Sequence, residues 1–62
     1  MLQITLKAAR VNAGYTQERA AELLEVAIKT LQNWESGETS PTIEQGKKIA
    51  QIYGLSFDNI IF

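Results

Sequence analysis

From Thr30 to Glu38 the chain reads TLQNWESGE, setting two amides, Gln32 and Asn33, beside a large ring, Trp34, and a carboxylate, Glu35. An amide presents donors and an acceptor on one planar group, and the question is what needs such groups next to an indole on one short segment. Covalent chemistry is a poor answer. The chain has no Cys and no His, which removes disulfides, Cys or His nucleophiles and the usual zinc sites. Its hydroxyls have no such partner, it holds no Gly-rich phosphate loop, and no paired carboxylates sit at a pocket that 62 residues can enclose. No enzyme, metal, cofactor or small-molecule ligand is expected.

The elements that must position these residues are short. Sixty-two residues suffice for one small domain, residues 1–62, and the chain is expected to be complete at Phe62 rather than the first domain of a longer protein. Hydrophobic residues make up 45%, too many for a disordered chain, and without disulfides the fold must stand on its core or on a partner. No apolar run approaches the ~20 residues of a membrane helix. MLQITLKAAR lacks the basic start and apolar run of a signal peptide. The cytoplasm is the expected compartment. The net charge of −1 argues against a generic nucleic-acid binder, although local charge matters more than the sum.

Gly14, Gly37 and Gly54 punctuate the chain, and between them apolar residues recur at helical spacing. The pattern predicts five short helices, near 5–13, 17–24, 28–36, 43–53 and 57–61. Thr16 caps the second, with Glu18 at its positive end. Thr42 and Gln45 have capping-box spacing for the fourth, and Ser56 is placed to cap the fifth. The expected core is Leu6, Ala21, Leu24, Val26, Leu31, Trp34, Ile43, Ala50 and Tyr53, with Phe57 and Ile60 from the tail. The second and third helices are joined by about three residues, so they cross steeply, and their inner corner needs a small side chain, Ala21.

In order and spacing, LKAAR, GYTQERAAELL, VAIKTLQNWESG, SPTIEQGKKIAQIYG and LSFDNI cover nearly the whole chain. Together they resemble the phage-repressor, or Cro/XRE-type, helix-turn-helix family. The resemblance implies an all-α, five-helix lambda-repressor-like domain that binds double-stranded DNA as a homodimer and controls transcription, most often as a repressor, in a bacterial or phage setting at the nucleoid. It implies that the third helix enters the major groove, with Trp34 anchoring it from behind. Ala27, Ile28, Lys29, Gln32 and Asn33 then face bases: the amides suit adenine, Lys29 suits guanine and Ile28 suits a thymine methyl. Gln17 matches a backbone-contacting glutamine of the family, at a helix start that favours anions. Thr16, Ser36, Gly37, Thr39 and Ser40 are further phosphate contacts. Arg10 and Glu35 match a pair that commonly forms a salt bridge behind the reading helix.

The chain departs from the family pattern in several places. Glu25 stands where the turn usually has Gly; either it takes a left-handed conformation at ~1 kcal/mol or more, or the turn differs slightly. Ala27 replaces the Ser or Thr cap, a loss of ~1 kcal/mol. Ala20 and Gly46 stand where larger residues are common and are expected to make room for Trp34 and Tyr15. Glu18 and Glu38 lie near the phosphate path. The salt dependence of DNA binding is therefore expected to be shallow, on the order of two to four charges per monomer. Ile52, Ile61 and Phe62 exceed what a small core hides and form a candidate dimer surface, the alternative being a frayed tail folded back onto its own domain. The competing reading is a protein-interaction module on the same fold, an antirepressor or accessory subunit.

Overall fold

The structure is a computed structural model that describes residues 3–62. Its elements in chain order are β1 (Ile4–Thr5), α1 (Leu6–Asn12), α2 (Gln17–Leu24), α3 (Ile28–Ser36), α4 (Ile43–Tyr53), a 3-10 turn (Phe57–Asn59) and β2 (Ile60–Ile61). Each α-helix start but one carries a side-chain cap. Thr5, Thr16 and Thr42 accept from the backbone N–H three residues on, and Gln45 returns the favour to Thr42 as a complete capping box. The exception is α3, where Ala27 has no side chain to offer.

Every helix ends alike. A left-handed residue follows each helix, directly after α2, α3 and α4 and one residue later, at Gly14, after α1, and the next N–H reaches back five residues: Tyr15 to Arg10 O, Val26 to Ala21 O, Glu38 to Asn33 O and Leu55 to Ala50 O. Glycine occupies the left-handed position at three of the four ends. At the fourth it is Glu25, with φ 59° and ψ 41°, the one non-glycine with positive φ among the described residues. That conformation costs a residue with a Cβ ~1–2 kcal/mol. It also sets the α2–α3 corner, because Val26 then turns back toward the core while Ala21 lies buried beneath.

The core gathers Leu6 and Ala9 of α1, Ala20, Ala21 and Leu24 of α2, Leu31 and Trp34 of α3, Ile49, Ala50 and Tyr53 of α4, and Ile60. Leu31 and Ile49 are completely enclosed, each contributing ~1.5–3 kcal/mol of burial. Two expectations about this core need correction. Ile43 is exposed, at 69%. At 100° per residue it stands about 70° from the middle of the buried stripe Gly46, Ile49, Ala50 and Tyr53, and it opens the helix, ahead of the turn that packs. Ile49, on the centre of that stripe's flank, takes its place.

The fifth helix is the other correction. Among the described residues four α-helices form, not five. Ser56 makes no side-chain cap, three residues make a 3-10 turn, and Ile60–Ile61 runs extended. It pairs in parallel with β1, Ile4 against Ile60 and Thr5 against Ile61. Two β-branched residues disfavour a helix too short to nucleate, and the strand from the other end of the chain offers them partners while Ile60 is buried. Gly46 also serves a purpose other than expected. A Cβ there would come within 2.7 Å of Phe57 and 3.4 Å of Phe62. The glycine thus makes room for the C-terminal rings, which stack with centroids 5.3 Å apart, rather than for Trp34 and Tyr15. Tyr15 instead rests on Tyr53, ring centroids 6.0 Å apart.

Candidate nucleic-acid interface

The outer face of α3 is the natural place to begin. Leu31 and Trp34 point inward, so the helical repeat turns Ile28, Lys29, Gln32, Asn33 and Ser36 outward within about 140° of arc. Ile28, Lys29, Gln32 and Ser36 are exposed and Asn33 is half-exposed. Ala27 is exposed just before them. Ile28, 39% exposed, puts an apolar methyl on a face that is otherwise polar.

Behind this face lies a relay of side chains. Arg10 on α1 is buried, and its Nε donates to Glu35 Oε2 at 2.7 Å. Its Nη2 donates to Glu35 Oε1 at 3.4 Å and its Nη1 to the Tyr15 carbonyl at 2.8 Å. The pair is nearly dry, the two side chains being 9% and 5% exposed, so each charge depends on the other. Glu35 Oε1 also accepts from Gln17 Nε2 at 3.0 Å. Gln17 Oε1 in turn accepts from Gln32 Nε2 at 3.4 Å. Four side chains from three helices therefore run from the core to the surface. Gln32 keeps one N–H and its carbonyl oxygen unengaged, the donor–acceptor pair a bidentate contact to an adenine edge requires.

The candidate phosphate ligands differ in readiness. Gln17 opens α2, and its backbone N–H has no intrahelical acceptor. Its side-chain amide retains a second N–H. Thr16 Oγ1 accepts from the Arg19 N–H, which leaves the hydroxyl proton to give. Ser36 is less free, because its hydroxyl donates to the Asn33 carbonyl at 3.1 Å. Gly37, Thr39 and Ser40 follow on the exposed loop after α3, where the Glu38 and Thr39 N–H groups close onto Asn33 O.

Two features escaped the sequence reading. Lys7 of α1 lines a surface depression together with Gln17, Gln32, Glu35 and Ser36; helical phase shows Lys7 outward but not what it neighbours. The other is the Tyr53 hydroxyl, buried without a hydrogen-bond partner. Burial pushes its pKa up to about 12, and the Glu35 carboxylate adds to the rise while Arg10 opposes it. At the far end, Ile61 and Phe62 stand 48% and 40% exposed, whereas Ile52 is half-buried against the core. No group of His, Cys, Asp or Glu able to hold a metal occurs among the described residues, and no helix among them is long and apolar enough to cross a membrane.

A family model described as helix-turn-helix matches residues 6–60. The HTH-type transcriptional regulator ImmR of Bacillus subtilis (strain 168) is 38% identical over 56 residues, 90% of this chain. The chain spans less than half that protein's length, 44%. No solved structure gives a significant match.

Proposed function

The chain belongs to the phage-repressor, Cro/C1-type helix-turn-helix family, and from that premise we propose that it binds double-stranded DNA sequence-specifically and regulates transcription, as a repressor. The observation that carries the reading is the exposed α3 face with Gln32 tethered through Gln17 to the Arg10–Glu35 pair. A reading group held this way loses little side-chain entropy on contact with a base. In this proposal α3 lies in the major groove. Ala27, Ile28, Lys29, Gln32 and Asn33 meet base edges, while Gln17 and Thr16, with the loop residues Gly37, Thr39 and Ser40, meet phosphates. Residues 1–62 act as one domain, in the cytoplasm.

Charge limits how tightly one copy binds. Among the described residues Arg19 is engaged with Glu22, Lys48 lies 3.6 Å from Glu25, and Arg10 is neutralised by Glu35. A second copy on a paired half-site would offset the shortfall. The surface for it is the C-terminal end, where Ile61 and Phe62 are exposed beside the stacked Phe57 and Ile43 stands out one helical turn before Gly46.

Selection from a random duplex pool at low salt tests the proposal. The expected result is an enriched inverted repeat with half-sites about one helical turn apart. Gln32→Ala should then relax the preference at one position, by ~1–3 kcal/mol. Equal weakening on every sequence would deny Gln32 a reading role. The same apolar end and the net charge of −1 favour a second reading, an interaction module on this fold. Absence of any duplex binding at high micromolar protein would select it.

A further inference from the structure

We propose that the depression lined by Lys7, Gln17, Gln32, Glu35 and Ser36 seats one phosphate of the DNA backbone, and that Lys7 supplies its charge. The inference rests on the DNA-binding reading and extends it to the first helix. The depression has a volume of about 210 Å³, several times the ~30 Å³ share of one water, which is room on the scale of a phosphodiester group. Its sign is set by the relay behind it. The Glu35 carboxylate at its floor would repel a phosphate if it were free. Instead both of its oxygens are engaged, Oε2 by Arg10 Nε and Oε1 by Arg10 Nη2 and Gln17 Nε2. Arg10 cancels its charge at 2.7 Å.

Of the three cations outside any ion pair among the described residues, Lys7, Lys29 and Lys47, Lys7 is the one that lines the depression. The ion pairs among the described residues are Arg10–Glu35, Arg19–Glu22 and Lys48–Glu25, and Lys7 is in none of them. Its side chain is exposed on α1, beside the opening turn of α2. The two amides that line it suit an anion too. The second amide N–H of Gln17 is unengaged, and Gln32 borders the same space on the side of the bases. One phosphate seated here would contact α1 and α2 together and fix how deeply α3 sits.

The test is fluorescence anisotropy of a labelled duplex carrying the selected sequence, titrated across a range of KCl concentrations with wild type, Lys7→Gln and Lys7→Arg. Each phosphate neutralised contributes ~0.9 to the slope of log K against log salt. Lys7→Gln should therefore flatten the slope by roughly 0.9 and weaken binding about eightfold at 0.1 M salt, by the same factor on variant sequences. Lys7→Arg should keep both slope and affinity near wild type. An unchanged slope in Lys7→Gln, or a change in base preference instead of a uniform loss, would overturn the assignment while DNA binding stood. Failure of the wild type to bind any duplex would remove both.

Discussion

Replacing Glu35 by alanine would strand the Arg10 guanidinium. The structure leaves it 9% exposed, with one remaining bond, to the Tyr15 carbonyl. An uncompensated buried charge costs ~3–5 kcal/mol. A 62-residue chain has roughly 3–9 kcal/mol of stability in total, so Glu35→Ala should remove about a third of it or more. Urea unfolding measures this directly. Trp34 is the single tryptophan and is 7% exposed, so its emission reports the transition, with far-ultraviolet circular dichroism as the second probe. The double variant Arg10→Met, Glu35→Leu should recover most of the loss, because an apolar pair of similar volume removes both desolvation penalties. It should still fall short of wild type by ~1 kcal/mol, since the Tyr15 carbonyl then has no donor. A Glu35→Ala loss below ~1 kcal/mol, in the range of an exposed pair, would refute the reasoning. So would a double variant as unstable as the two single losses added together, which would mean no coupling.

Glu25→Gly should stabilise the chain by ~1 kcal/mol, since it relieves the left-handed φ of 59° and gives up only an exposed pair with Lys48; a shift of the urea midpoint to lower concentration would refute it. Tyr53 sets an alkaline limit. Its phenol ionises near 10 in the unfolded chain and at about 12 in the fold, so between those values the unfolded state holds fewer protons and stability falls as pH rises, by up to about 3 kcal/mol. Tyr53→Phe should flatten that fall and, by deleting a buried hydroxyl without a partner, raise stability at neutral pH by ~1 kcal/mol; equal alkaline slopes in the two proteins would show that the loss arises elsewhere.

The helices were legible because their signals are local. Thr16, Thr42 and Gln45 sit beside the backbone groups they cap, and Gly14, Gly37 and Gly54 sit on the turns they permit. The outward set on α3 followed from the helical repeat once Leu31 and Trp34 were taken as inward. The pairing of Arg10 with Glu35 came from the family resemblance, as nothing in a separation of 25 residues announces it. The misread tail has a plain cause. Read alone, FDNIIF has a cap-like Ser56 and apolar spacing, whereas its conformation is set by Ile4 and Thr5 at the other end of the chain.

What the sequence determined by itself was where α2, α3 and α4 begin and end, and the absence of Cys and His. Both follow from residue type and from contacts within a few positions. Only the tertiary structure decided that Glu35 is shared between Arg10 and Gln17, that Gln17 holds Gln32, that Lys7 faces the same depression, and that Gly46 is small for the sake of Phe57 and Phe62. These join groups on different elements. Their distances depend on how the helices cross, and that angle is set by the packing of the whole core around Leu31 and Ile49, to which no short stretch of chain has access.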